Sequence, residues 1–111
     1  MKYSLLLLLF TMIFHSTGAA QGNALIIDVR TLKEWNQGHL ASAQHMPLQN
    51  IAKQSTTLLP EKGQKIYLYC RSGNRSGKAK IILQQLGYSN VINAGGLSAA
   101  SKRLGDGIIV R

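Results

Sequence analysis

The sequence predicts a small α/β domain in which a parallel β-sheet is covered by helices on both faces. Short apolar or β-branched runs alternate along the chain with longer stretches whose apolar residues recur at helical spacing. Turn residues, mostly Gly, Pro and Asn, separate the two kinds of segment. Strands that alternate with helices usually pair in parallel, because each helix returns the chain to the same end of the sheet. The 111 residues are enough for one such domain and too few for two.

The first 20 residues differ in composition from the rest of the chain. Lys2 precedes an apolar run over residues 5–14, and Gly18, Ala19 and Ala20 follow it. A positive start, a short apolar run and small residues are typical of a secretory signal peptide. The run is too short to cross a bilayer, which takes about 20 residues. We therefore expect a signal peptide over residues 1–20, cleaved after Ala19 or Ala20, with an uncleaved anchor or a buried helix as the alternative.

The expected domain, residues 21–111, begins with a strand and a short capped helix. Residues 24–29 are apolar and partly β-branched, which predicts a buried strand. Thr31 is placed to be a helix N-cap, and Glu34 three residues later completes the pattern of a capping box. We expect Gly38 to end this helix.

Three further segments lead to the only cysteine of the chain. Residues 43–46 predict a brief strand, and residues 48–59 predict one helix that frays near residues 55–57. Residues 66–69 form a continuous apolar run, which suits a central strand that is buried on both faces. Cys70 follows at its carboxyl end.

A polar loop and a second helix follow the cysteine. We expect this helix to begin at Arg75 or Ser76, because an apolar stripe at helical spacing starts just afterwards. Gly87 is placed to end it in a left-handed conformation, with Tyr88 folding back on Leu83 in a Schellman arrangement. Three more segments complete the chain: a strand over residues 91–92, a helix over residues 97–104, and an edge strand or loose end over residues 108–110.

The charge of the chain limits its partners. Thirteen basic and four acidic residues give a net charge of +9, which is compatible with nucleic acid, an anionic membrane or a small anionic substrate. The lysines are scattered, without a basic run or interleaved aromatic residues, so we expect no nucleic-acid partner. The spacing of the histidines does not suggest a metal site, and we expect structural roles for His39 and His45 and no cofactor. Trp35 is expected to anchor the core.

Cys70 is the candidate for chemistry. A lone thiol in an oxidising compartment is either buried and inert or reactive by design. Sites in open parallel sheets form beyond the carboxyl ends of the strands, where Cys70 lies. A helix terminus worth about 2 kcal/mol would lower a thiol pKa by only about 1.5 units. We therefore expect the loop N–H groups and at least one arginine, Arg71 or Arg75, to lower the pKa of the thiol together.

Four segments carry a resemblance to a known family. The stretch from Tyr69 to Ser76 resembles the active-site loop of rhodanese-family sulfurtransferases. The other three are Asp28-Val29-Arg30 with Glu34-Trp35, Gly38-His39-Leu40-Ala41-Ser42-Ala43 closing on Met46-Pro47, and Asn93-Ala94-Gly95-Gly96-Leu97. The chain departs from the family pattern at Ser42, His45 and Ser98, where Gly, Asn and an aromatic residue are usual. Its length and expected signal peptide are similar to those of the periplasmic single-domain rhodaneses of the phage-shock type.

The resemblance implies a rhodanese-like fold and a periplasmic thiosulfate sulfurtransferase. Sulfur would pass from a small anionic donor to a thiophilic acceptor, such as cyanide, through a persulfide on Cys70, without metal or cofactor. The expected substrate-binding residues are Arg71, Ser72, Gly73, Asn74, Arg75 and Ser76. A sulfur carrier or binding module without turnover is the alternative. A phosphatase is disfavoured, because phosphatases of this fold carry Arg where this chain has Ser76.

Overall fold

A parallel sheet lies at the centre of the part of the chain that the structure, a computed structural model, describes: residues 24–111. The expected signal peptide, residues 1–20, lies outside the described residues. Six strands are present in the described part: β1 (Leu25–Asp28), β2 (His39–Leu40), β3 (Gln44–His45), β4 (Ile66–Cys70), β5 (Val91–Gly96) and β6 (Ile108–Ile109). The central sheet has the order β3-β1-β4-β5, and all its pairs are parallel, as the sequence predicts.

Helices cover both faces of this sheet. They are α1 (Leu32–Gln37), α2 (Ile51–Leu58), α3 (Asn74–Gln85) and α4 (Leu97–Leu104). Helix α3 packs against β4 and β5 on one face together with α2, whereas α4 packs against β5, β4 and β2. The predicted α/β architecture is therefore confirmed. No helix among residues 24–111 is long and apolar enough to cross a membrane.

The central strand β4 divides the core into two apolar clusters. Successive side chains of a strand point to opposite faces, so Ile66, Leu68 and Cys70 join the cluster that includes residues of α2 and α3. Tyr69 joins the cluster on the other face, together with Ala100 of α4. The cysteine therefore faces α3, whose first turn follows it closely in the chain.

The described residues also form a second, two-stranded sheet, which the sequence did not predict. Strand β2 pairs antiparallel with β6, so residues 108 and 109 of the segment 108–110, predicted as an edge strand or a loose end, form a strand with a partner. The Leu40 N–H donates to the hydroxyl of Tyr69 at 3.0 Å, which attaches this pair to the central sheet. Two-residue strands carry too short a periodic pattern to be recognised in the sequence.

The expected helix ends at α1 and α3 are confirmed. Thr31 caps α1 in a capping box with Glu34, and Gly38 follows its end with a φ of 145°. Gly87 has a φ of 101°, and the Tyr88 N–H donates to the Leu83 carbonyl as a Schellman motif requires.

Two predicted helix boundaries are wrong. The segment predicted as one helix over residues 48–59 starts with a 3₁₀ turn, Leu48–Asn50, and α2 then continues to Leu58 without fraying at residues 55–57. The Ser55 hydroxyl donates to the Ala52 carbonyl at 3.1 Å, and the Ser55 carbonyl accepts from the Tyr88 hydroxyl, so this turn is held. Helix α3 begins at Asn74, one residue before the predicted start, since Gly73 already supplies the left-handed turn that precedes it.

Candidate active site

The sulfur of Cys70 lies at the floor of the loop that joins β4 to α3. Its side chain is buried, with 1% of the residue exposed. The Gly73 N–H donates to Sγ at 3.0 Å, and the Ser76 hydroxyl lies 3.4 Å from the same atom. Gly73 adopts a φ of 98°, a left-handed conformation that glycine reaches without strain, and this turn directs its N–H to the sulfur. The loop is thus a cradle of donors around one sulfur atom.

Hydrogen bonds make this thiol unusually acidic. Burial by itself raises the pKa of Cys70, because the charged form loses contact with water. The Ser76 hydroxyl and the backbone N–H groups of Ser76, Ser72 and Gly73 lower it by more than burial raises it, and the resulting pKa is about 7. A thiol with its pKa this close to neutrality is ionised far more often at pH 7 than an ordinary cysteine.

Arg75 lies beside the cradle but is already paired. Its two terminal nitrogens donate to the carboxylate of Glu34 at 2.7 and 2.9 Å. The hydrogen bond from Arg75 is the main cause of a Glu34 pKa lowered to about 2, and the N–H and hydroxyl of Thr31 lower it further. Glu34 thus caps α1 and also binds the cysteine loop, a second role that sequence analysis missed. A pairing between two segments so far apart in the chain leaves no periodic signal in the sequence.

The remaining predicted site residues lie at different depths. The loop residues Arg71, Ser72 and Asn74 are exposed at the rim, whereas Ser76 is buried beside the sulfur. Coulombic attraction to the thiolate contributes to raising the pKa of Arg75, but less than its hydrogen bond to Glu34 does. The expected contribution of an arginine to thiol acidity is thus smaller than that of the loop donors.

Strand β5 closes the cradle from behind. A Cβ added to Gly96 would collide with the Arg71 carbonyl oxygen and lie 3.1 Å from its carbonyl carbon, so two backbones meet here without room for a side chain. Asn93 donates through Nδ2 to the Gly73 carbonyl at 2.9 Å, and its Oδ1 accepts from the Ser76 hydroxyl at 2.7 Å. The double-glycine segment was expected from the sequence, but Asn93 was not counted as a site residue.

A buried ion pair and an aromatic stack stabilise the region behind the site. Arg30 contacts Asp28 at 2.6 Å and also donates to the Gly38 carbonyl at 2.7 Å. Trp35 stacks on the buried His39 with ring centroids 3.4 Å apart. Trp35 itself is only half-buried and belongs to neither apolar cluster, so the expectation that it anchors the core is wrong. No group of three or more His, Cys, Asp or Glu side chains within residues 24–111 is arranged to hold a metal ion.

Comparisons with known proteins decide the family. A family model described as the rhodanese-like domain matches residues 16–102, and that match begins inside the segment expected to be a signal peptide. The chain belongs to the rhodanese-like family. Relatives of this chain are named sulfurtransferases, and with the family match they identify the chain as a sulfurtransferase.

Three similar proteins illustrate this membership. The thiosulfate sulfurtransferase PspE of Escherichia coli is 41% identical over 71 residues, which cover 64% of this rhodanese-like chain and 68% of PspE. The putative sulfur carrier protein YrkF of Bacillus subtilis is 34% identical over 68 residues, which cover 61% of this chain and only 36% of YrkF. A structure described as a rhodanese with anions from E. coli superposes with a TM-score of 0.71 and 34% identity, covering 79% of this chain and 99% of that one.

Proposed function

We propose that this enzyme moves a sulfane sulfur from a thiosulfate-type donor to a thiophilic acceptor through a persulfide on Cys70. The observation that carries the proposal is the buried Cys70 sulfur, which accepts hydrogen bonds from Gly73 and Ser76 and has a pKa of about 7. A sulfur nucleophile must be a thiolate to attack, and its reactivity is highest when its pKa lies near the ambient pH. The similarity to PspE supports thiosulfate as the donor.

In the first half-reaction, the Cys70 thiolate attacks the outer sulfur of thiosulfate. A bond forms between Sγ and that sulfur, the sulfur–sulfur bond of the donor breaks, and sulfite leaves with the bonding electron pair. One negative charge remains on the enzyme, now on the outer sulfur of the persulfide. The loop N–H groups, which point to the centre of the cradle, stabilise an anion there without a proton transfer.

In the second half-reaction, a nucleophile removes the outer sulfur. Cyanide attacks it, the persulfide bond breaks, and the electron pair returns to Sγ as the Cys70 thiolate, with thiocyanate as product. Two half-reactions through a covalent intermediate predict ping-pong kinetics. Neither step requires a metal, an organic cofactor or an external oxidant.

Different loop residues would bind the two ends of the donor. Arg71 is exposed at the rim and is our proposed main binder for the anionic end of the donor, since Arg75 is paired with Glu34. The backbone of Ser72, Gly73 and Asn74 and the hydroxyl of Ser76 would contact the transferred sulfur. The net charge of the proposed mature chain, 12 − 4 = +8 after removal of Lys2 with the signal peptide, favours the approach of an anion over a longer range.

Intact mass measured after incubation with thiosulfate tests the proposed intermediate. We expect the wild-type protein to gain one sulfur that cyanide removes, and Cys70→Ser to gain none and to show no turnover with thiosulfate and cyanide. A Cys70→Ser protein with the wild-type rate would refute the proposal. Because the chain has a single cysteine, no other thiol can form the adduct.

A sulfur carrier is the second candidate, and the similarity to the putative sulfur carrier YrkF favours it. A carrier would take up one sulfur as completely as the enzyme but would release it to cyanide at a negligible steady-state rate. The same preparation therefore separates the two functions when uptake and turnover are both measured. Hydrolysis of an aryl phosphate, abolished by Cys70→Ser, would instead indicate a phosphatase.

We also propose that the protein works in the periplasm after export. The apolar run over residues 5–14 and the small residues that follow support a cleaved signal peptide. Cell fractionation and the N-terminal sequence of the secreted form test this directly. A mature protein that starts at residue 1 in the cytoplasm would contradict it.

A further inference from the structure

We propose that Asn93 is a positioning residue of the sulfur site, which holds Gly73 and Ser76 so that the Gly73 N–H and the Ser76 hydroxyl stay beside Cys70. Asn93 lies on β5, outside the loop, and acts on the sulfur through these two donors. The inference deepens the proposed function and rests on Cys70 being the reacting group. It concerns how the neutral donors of the cradle are held in place.

The side-chain amide of Asn93 is fixed by two backbone groups. Its Nδ2 donates to the Gly73 carbonyl at 2.9 Å, and its Oδ1 accepts from the Gly95 N–H at 3.0 Å. A carbonyl can only accept and an N–H can only donate, so these partners determine which amide atom faces which. Gly73 is thereby held through its carbonyl by β5, while its own N–H points to Sγ at 3.0 Å.

The absence of a side chain at Gly73 allows this approach. A Cβ there would lie 3.4 Å from the Gly95 Cα and 3.9 Å from Asn93 Nδ2, in a backbone conformation that other residues rarely adopt. The loop can therefore rest directly on β5, and the side chain of Asn93 bridges the two. A hydrogen bond on each side leaves Gly73 little freedom to turn its N–H away from the sulfur.

The Ser76 hydroxyl has one proton and two acceptors. Asn93 Oδ1 lies 2.7 Å from its oxygen, and Cys70 Sγ lies 3.4 Å from it. A charged acceptor binds a donor more strongly than a neutral one, so the proton turns to the sulfur when Cys70 is a thiolate. When the charge moves to the outer sulfur of a persulfide, Oδ1 accepts the same proton. The buried hydroxyl thus keeps a partner in both states.

The buried and half-buried charged groups near the sulfur are already paired, and Arg71 at the rim is exposed to solvent, which leaves the site sensitive to a change at Asn93. Arg75 of α3 is bound to Glu34 of α1, and Asp28 at the end of β1 is bound to Arg30. Strand β5, Val91–Gly96, contributes no ionisable side chain. A carboxylate in place of this amide would therefore act on the thiolate without a buried cation to neutralise it, since Arg71 is exposed to solvent.

The variant Asn93→Asp tests the proposal. The carboxylate cannot donate to the Gly73 carbonyl, and its charge disfavours a nearby thiolate. We expect the apparent pKa of Cys70, measured from the pH dependence of its alkylation by iodoacetamide, to rise by about one unit, so that alkylation at pH 7 slows roughly five-fold. The control Asn90→Asp makes the same charge change at an exposed position before β5 and should keep the wild-type profile.

A folded Asn93→Asp protein with the wild-type alkylation profile would overturn the proposal, even if its melting temperature fell. A double-mutant cycle with Asn93→Ala and Ser76→Ala serves as a second test if the aspartate variant does not fold. The effect of Asn93→Ala on the alkylation rate at pH 7 should differ at least roughly two-fold between the wild-type protein and the Ser76→Ala variant, because residues in contact are coupled. If the effects of the two substitutions on the alkylation rate are additive, Asn93 does not act on Cys70 through the Ser76 hydroxyl, and that part of the proposal is wrong. Alkylation needs no sulfur donor, so these rates test the role of Asn93 even if the protein forms no persulfide.

Discussion

Removing the Ser76 hydroxyl should raise the pKa of Cys70 without disturbing the fold. Ser76→Ala deletes the donor that lowers this pKa most, while the backbone N–H groups of Ser76, Ser72 and Gly73 stay in place. The deletion also leaves no new unpaired group, because Asn93 Oδ1 still accepts from the Gly95 N–H. The substitution therefore isolates one hydrogen bond to the sulfur.

The size of the effect follows from the geometry. A hydrogen bond to a charged group contributes about 1.5 to 3 kcal/mol, and the lower value applies here because the hydroxyl lies 3.4 Å from Sγ and is shared with Asn93. At about 1.36 kcal/mol per unit, the pKa of Cys70 rises by about one unit. Starting from a pKa of about 7, the thiolate fraction at pH 7 falls from about one half to about one tenth.

The alkylation rate of Cys70 between about pH 5 and about pH 10 measures this change directly. The Ser76→Ala protein should react roughly five-fold more slowly at pH 7 and at nearly the wild-type rate above about pH 9.5, where both thiols are ionised. Ser89→Ala, which removes an exposed hydroxyl beyond the end of α3, is the matched control. A rate ratio that stays constant across the pH range would refute the reasoning, since the hydroxyl would then affect access or packing rather than ionisation.

Two further substitutions test the parts that hold the loop. The pKa of Glu34 is lowered to about 2 from an ordinary 4.5, so its pairing with Arg75 stabilises the fold above about pH 4.5 and is lost as the pH falls towards 2. Glu34→Gln should thus cost about 1 kcal/mol of unfolding free energy in urea at pH 7, after allowance for solvent screening. The cost should shrink steadily below about pH 4.5 and be only a small part of that value near pH 2, and a cost that stays constant down to pH 2 would contradict this. Gly96→Ala should destabilise by about 2 kcal/mol and lower the melting temperature, because the added methyl collides with the Arg71 carbonyl. Gly63→Ala, with nothing within 4 Å of its Cβ, should leave the melting temperature unchanged, and equal behaviour of the two variants would count against the close approach.

Most of the fold could be predicted because its signals are local. The capping box at Thr31 and Glu34, the Schellman motif at Gly87 and the apolar strand before Cys70 each depend on a few neighbouring residues. The pairing of β2 with β6 could not be found in this way. It joins two-residue strands that are about 70 residues apart, and such a contact is set by tertiary packing rather than by periodicity.

The site could be predicted only where its residues are adjacent in the sequence. The position of Cys70 at a strand end and the loop that follows it were evident, because both lie within one short segment. The sequence did not reveal that Glu34 pairs with Arg75 or that Asn93 binds Gly73. Glu34 lies on α1 and Asn93 on β5, far from the loop in the sequence. Contacts between distant segments determine whether a charged side chain near the site is already paired. A single sequence does not show which distant residues are in contact.

The pairing of Arg75 changes the explanation of how the thiol is activated. A free guanidinium beside the sulfur would stabilise the thiolate, but it would also hold an anion after sulfur transfer and so oppose release of sulfite. Because Glu34 already neutralises it, the acidity of Cys70 rests mainly on the neutral donors of Ser76, Ser72 and Gly73. The backbone N–H groups of the loop would also stabilise the negative charge on the outer sulfur of the proposed persulfide. The net charge, +9 for the full sequence and 12 − 4 = +8 without Lys2 and the rest of the expected signal peptide, can attract an anionic donor over a longer range. Salt weakens that attraction more than it weakens the hydrogen bonds to the buried sulfur.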